Sequence, residues 1–214
     1  MLRSSPVAKH SENGAPRTDW RGVGLCAAVH LAVAVALCWD AVASRCERVV
    51  GTSAAEVWAF LWGHFWMNQS LVHELAWPFS TTLVDHPYGG VLWLKDPVML
   101  VAMLPVQWVA GVPAAYTLSM LLLFVMAGVG LFLLARLLGV GRWPAMLAAL
   151  TLPFAPHRLG AAYHGNMEAL NTCCLPLCLW ALLPVLRWPG RAPAIAAAAA
   201  PRLLPLATQH CALP

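Results

Sequence analysis

Chemistry has few places to sit in this chain. Only 10% of its 214 residues are charged. Most of the acids fall between Asp40 and Asp96, a stretch holding Asp40, Glu47, Glu56, Glu74 and Asp85 and closing on "VDHPYGGVLWLKDP", Val84–Pro97. A second polar stretch, "APHRLGAAYHGNMEALN", supplies His157, Arg158, Tyr163, His164, Asn166 and Glu168. A carboxylate within reach of a hydroxyl can take its proton. A lone guanidinium such as Arg158 can pair with an acid or a phosphate. His164 and Glu168 are four apart and share a helix face, but two ligands are a weak metal site, and a solvated helix end explains them as well. The seven cysteines are odd in number, and "TCCLPLC" lacks paired CxxC spacing and a neighbouring histidine. They read as small buried hydrophobes, and neither a metal nor a cofactor is implied.

The elements that must position these residues are apolar. The composition is 60% hydrophobic with a mean hydropathy of +0.68, whereas a soluble domain carries about 25% charged residues. Eleven of the 13 basic residues are arginines scattered singly, so no basic stripe points to nucleic acid. The expected fold is all-α: a polytopic transmembrane protein of about four spans, near 22–39, 114–137, 143–160 and 169–187. A membrane helix needs about 20 apolar residues. Gly22–Trp39, Ala114–Ala135 and Ala169–Leu186, runs of 18, 22 and 18 residues, are each long enough, whereas Val98–Val112 and Trp143–Ala155 are too short to cross comfortably alone. His30, the one polar residue of the first run, reads as a packed helix residue. "AVAS" at Ala41–Ser44 resembles a signal-peptidase site, but the apolar run exceeds a usual h-region of about 7–15 residues, and an uncleaved signal anchor is expected.

Charge sets the expected topology. If Val98–Val112 dips into the membrane without crossing, the cytoplasm receives Arg3, Lys9, Arg17, Arg21, Arg136, Arg142, Arg187, Arg191 and Arg202, nine of the 13 basic residues. If that segment crosses, only five stay inside, so the positive-inside rule favours the first arrangement, with both termini cytoplasmic. Asp40–Asp96 is then an extracytoplasmic loop, because each charge placed in lipid costs about 2.5–3.5 kcal/mol. Inside that loop, Trp58, Leu61, Trp62, Phe65 and Trp66 recur at helical spacing, so 56–75 is expected to lie along the membrane interface. Pro87 presets a turn, Gly89–Gly90 permit positive φ, and Pro97 opens a re-entrant segment over 98–112 that implies a cavity beside the outer face. His64, His73 and His86 read as loop hydrogen-bonders. The tail 192–214 is rich in Ala and Pro and offers no complete span; a disordered end, a truncation and a sequence read out of frame all fit it.

The ordered blocks "EVWAFLWGHFW", "WPFSTTLVDHPYGGVLW", "LPVQWVAGVPAAYTL", "GLFLLARLLGVGRWPAMLAALTLPFAPHRL" and "LNTCCLPLCLWALL" resemble the N-terminal part of bacterial polytopic proteins related to GT-C glycosyltransferases, over roughly Ala41–Leu186. The resemblance implies an inner-membrane protein that takes a sugar from a polyprenyl-phosphate carrier and transfers it outside the cytoplasm. It implies that an acid of the outer loop serves as general base or acceptor organiser. Glu56 stands six residues before Trp62 where the family pattern has aspartate, and Asp40, at the outer end of the first span, is the second catalytic candidate. Arg158, after "FAPH", matches a basic position for the carrier phosphate. His86 and Tyr88 of the "HPYG" turn and His164 of the second loop complete the candidate substrate-binding set. A non-catalytic membrane protein, whether carrier-lipid binder, assembly partner or inactive fragment, is the alternative; a transporter is a weaker third, since the spans lack buried ionisable pairs.

Overall fold

A computed structural model describes residues 19–187, apart from 45–46, 53–54, 93, 168–169 and 171–173. Glu168, Cys46, Cys173, Cys211 and the 192–214 tail lie outside the described residues. The chain is mostly helical, and two helices are long and apolar enough to cross a membrane, α1 (Trp20–Leu37) and α6 (Val112–Leu137). Between them lie α2 (Trp39–Ala43), α3 (Ala55–Asn68), which runs into a π turn (Gln69–His73), a hairpin of β1 (Ser80–Thr81) with β2 (Gly90–Val91), α4 (Pro97–Ala102) and α5 (Leu104–Ala110). After α6 come α7 (Arg142–Thr151), α8 (Pro156–Tyr163) and α9 (Cys174–Arg187).

α6 is the central pillar, and α1, α3, α5, α7 and α9 all pack against it. α1 starts on the Asp19 carboxylate, which accepts the Gly22 N–H at 3.0 Å, and runs antiparallel to α6. Gly22 lies beside Phe132, His30 beside Gly128, and Cys38 shares a core cluster with Tyr116 and Met120. α7 returns along the pair, so that Cys26, Phe132, Ala145 and Ala149 close a second cluster. Small residues on α1 and α7 are what let the backbones come this close.

The expected span over 143–160 is instead two helices, broken at Leu152–Ala155. Pro153 and Pro156 explain the break: Pro153 offers no N–H to Ala149 O, and each proline crowds the preceding turn. The freed carbonyl finds His30, whose Nε2 lies 3.0 Å from Ala149 O. His30 Nδ1 lies 2.7 Å from Cys26 O and 3.5 Å from Cys26 Sγ. Each ring nitrogen thus faces a carbonyl oxygen, Cys26 O on one side and Ala149 O on the other, and the tautomer sets which of the two receives the ring proton. Phe154, in the break, stacks on His30 at 5.6 Å and on Phe124 at 5.5 Å. His30 is fully buried, as a packed helix residue should be.

α3 forms as expected, with a different face turned inward. Val57, Phe60, His64 and Met67 are buried, at i, i+3, i+7 and i+10, while Trp58 and Phe65 stay exposed. Trp66, expected on the interfacial face, is also buried, stacked on Trp62 at 5.8 Å and donating from Nε1 to Pro78 O at 2.7 Å. Val57 and Phe60 join the α6 cluster, while Met67 joins Leu100 and Leu104 of α4 and α5. Each such burial is worth about 1.5–3 kcal/mol relative to water. The segment 98–112 is broken too, at Met103, with Pro97 and Pro105 each in the first turn of its helix. Gly89 takes positive φ (77°), whereas Gly90 belongs to β2.

Candidate functional site

Two cavities flank α3 at the end of the bundle where α6 begins. The first is a groove of ≈ 670 Å³ walled by Trp58, Trp62, Phe65, Leu92, Leu94 and Val112. Its charged lining residue is Lys95, whose Nζ sits 2.9 Å from Glu56 Oε2 and 5.4 Å from the centre of the Phe60 ring. Glu56 occupies the first turn of α3, where a carboxylate is favoured by the helix dipole. Asp96 holds the next corner, accepting the Met99 N–H at the start of α4. The stretch "LKDP" thus turns the chain and delivers the lysine to the groove.

The second cavity is a cleft of ≈ 570 Å³ between the hairpin and the end of the π turn, lined by Glu74, Ser80, Thr81, Thr82, Tyr88 and Gly89 among others. The hairpin tip is pinned by Tyr88 N–H and Gly89 N–H, which both donate to Asp85 O at 3.0 and 3.1 Å. The polar run "VDHPYGG" therefore does border a cavity. Glu74 receives the Gln69 side-chain amide at 3.2 Å and is followed by Leu75 in a left-handed conformation (φ 50°), which is uncommon for a bulky residue.

The remaining candidates are dispersed. Asp40 is exposed on α2, and His86 is exposed at the hairpin tip. Tyr88 is 89% exposed on the rim of the hairpin cleft. His164 is exposed just after α8, with its ring edge-on to Tyr163 at 5.8 Å. Arg158 lies on α8, its Nη1 3.4 Å from Leu170 O, and lines a void of ≈ 10 Å³ beside Phe124 and Ala127. Glu56 thus sits at the edge of the first groove through Lys95, whereas Arg158 lines this separate void. Sequence reasoning passed over Lys95 and Glu74. Lys95 is one of only two lysines in the chain, a signal that could have found it; Glu74 carries no comparable mark. Among the described residues no three His, Cys, Asp or Glu side chains gather closely enough to hold a metal.

His64 is not a loop residue. It is 1% exposed inside α3, and its Nδ1 makes no hydrogen bond among the described residues. Burial pushes its pKa down from 6.5 to about 4, so it is neutral at pH 7. As pH falls through that window the unfolded chain takes a proton that the folded chain refuses, and stability drops by about 3 kcal/mol in all. The denaturation midpoint in detergent is expected to fall between pH 6.5 and 4, and His64→Leu to flatten that fall without weakening the fold at pH 7. An unchanged pH slope in the variant would show that His64 titrates freely.

No protein family, no curated protein and no solved structure matches this chain.

Proposed function

We propose that this chain is a membrane-embedded, glycosyltransferase-like protein that receives a polyprenyl-phosphate-linked sugar on the extracytoplasmic side. The observation that carries the reading is the groove of ≈ 670 Å³ with indole and alkyl walls and the Lys95–Glu56 pair at its edge. An amphiphile with a long apolar chain and an anionic head matches that division: the chain lies along Trp58, Trp62 and Phe65, and the phosphate meets Lys95. Indoles are at home at the level of lipid headgroups. α1 and α6 supply two crossings, and α7 and α8, with 10 and 8 helical residues or about 27 Å of helix at 1.5 Å per residue, together with the break between them supply a third. In this reading α9 belongs to a fourth, which leaves both termini in the cytoplasm of a bacterial inner membrane.

In this reading Lys95 holds Glu56 by Oε2 and leaves Oε1 for the acceptor. The acceptor hydroxyl gives its proton to Glu56 as its oxygen bonds to the anomeric carbon. The bond from that carbon to the phosphate oxygen breaks, and the lipid phosphate leaves with the electron pair beside Lys95. The phosphate role thus passes from Arg158 to Lys95. A second reading, a carrier-lipid binder without transfer, is favoured by the placement of Arg158 in a separate void walled by Phe124 and Ala127.

The test uses the protein in nanodiscs with polyprenyl phosphate and a radiolabelled polyprenyl-phosphate sugar. Glu56→Gln is expected to leave lipid binding intact and to cut transfer about 100-fold or more. Lys95→Ala is expected to weaken binding about tenfold. Half-exposed ion pairs contribute only about 0–1 kcal/mol, so neither variant should lose the fold. Binding without transfer in the parent protein selects the binder, and no binding at all rejects both readings.

A further inference from the structure

We propose that the hairpin cleft is a binding site for an uncharged, hydroxyl-rich ligand of the saccharide class, held by Glu74 and Tyr88. The site rests on the reading above only in facing outward, because saccharide binding requires no transfer. Its volume, ≈ 570 Å³, falls in the range of about 300–1,000 Å³ typical of small-molecule sites.

The lining selects the chemistry. It contains one carboxylate, Glu74, and no Lys, Arg or His. An anionic ligand would find repulsion and no counter-charge, and a divalent cation would find a single acid. What remains is a neutral molecule that donates hydrogen bonds to a carboxylate and exchanges them with hydroxyls. Gln69 donates to Glu74 Oε1 at 3.2 Å, and Oε2 is the oxygen assigned to the donors of the ligand. Ser80 and Thr82 flank Thr81, whose own hydroxyl is engaged by the Leu83 N–H at 3.1 Å. The two outer hydroxyls therefore stand on either side of Thr81, Ser80 on β1 and Thr82 just past its end.

Tyr88 adds the second half of the recognition. Its ring stands 89% exposed on the rim, an aromatic face on which the C–H side of a pyranose can lie while its hydroxyls turn to Glu74. Gly89 and Gly90 follow it in the lining without side chains, so a ring can approach the backbone. A Cβ on Gly89 would come within 3.1 Å of Thr81 O, which keeps that floor closed to larger residues. The π turn ends on Glu74, whose N–H bonds to Gln69 O at 3.0 Å, and π turns recur where a helix must aim a functional side chain.

The experiment is saturation-transfer NMR on the full chain in nanodiscs with three probes: maltose, cellobiose and glucose 1-phosphate. Both neutral disaccharides are expected to show transfer, with affinity at least tenfold lower in Glu74→Gln and in Tyr88→Ala. Glu47→Gln, an exposed carboxylate that lines neither cavity, is expected to bind them as the parent does. Absence of signal with either disaccharide, or signal that survives both cleft substitutions, overturns the site. Tighter binding of glucose 1-phosphate than of maltose overturns the charge argument and the site with it. Loss of polyprenyl-phosphate binding alone would reject the proposed function and leave this cleft standing.

Discussion

Gly128→Ala is expected to destabilise the bundle by about 3 kcal/mol or more. A methyl group there would occupy the space of the His30 imidazole, running into its Cδ2, Nε2 and Cε1. Overpacking of this kind costs about 1–3 kcal/mol. The ring would also have to leave Ala149 O, returning that carbonyl to the unpaired state that Pro153 created, at about 1–3 kcal/mol more. The check is a double-mutant cycle with His30→Ala, read as the denaturation midpoint in detergent. The pair is expected to be less damaging than the sum of the singles by more than about 1 kcal/mol, because the smaller side chain makes room for the methyl. Additive effects would mean that the two residues do not share that space.

Gly165→Ala is the second large effect, also about 3 kcal/mol. Gly165 closes α8 with φ 72°, a conformation that costs an L side chain about 1–2 kcal/mol. Its added methyl would strike Val57 Cγ2 and stand 3.1 Å from the Tyr116 hydroxyl. That hydroxyl donates to Val50 O at 2.9 Å, so the collision reaches the loop ahead of α3 as well. Val57 adjoins Glu56, and the variant is expected to lose lipid binding along with stability. Val57→Ala in the same chain removes the struck methyl and should restore part of both. A Gly165→Ala chain as stable as the parent would show that the α8 turn moves freely away from α3.

Much of the helical layout was legible because it rests on local signals. Two long apolar runs became α1 and α6, and Pro97 opened α4 as its chemistry requires. The aromatic spacing of 58–66 gave α3 but not its orientation. That helix is apolar on every side, so periodicity alone does not choose between the Trp58 face and the Val57 face. The choice was made by α6, α4 and α5, which lie far along the chain. The break at Leu152–Ala155 was foreshadowed by Pro153 and Pro156, yet hydropathy counts those residues as part of one run. Its compensation by His30 is a contact across 119 residues, which no window of sequence displays. At the site, the acids stood out by composition and Lys95 by rarity, whereas the pairing of Lys95 with Glu56 appears only once the fold brings it back to the first turn of α3.

The His30–Ala149 contact also has a dimension in time. At about 5–20 residues per second of synthesis, the 119 residues between them take about 6–24 s to appear. During that interval α1 carries an imidazole in the middle of an apolar helix with one carbonyl partner, Cys26 O, in place and the other, Ala149 O, not yet translated. α6, beginning at Val112, emerges first and brings Gly128, the residue that leaves room for the ring. The nascent chain is thus assembled around a polar group held in waiting, and anything that hastens the commitment of α1 to lipid would work against the seam it later forms with α7.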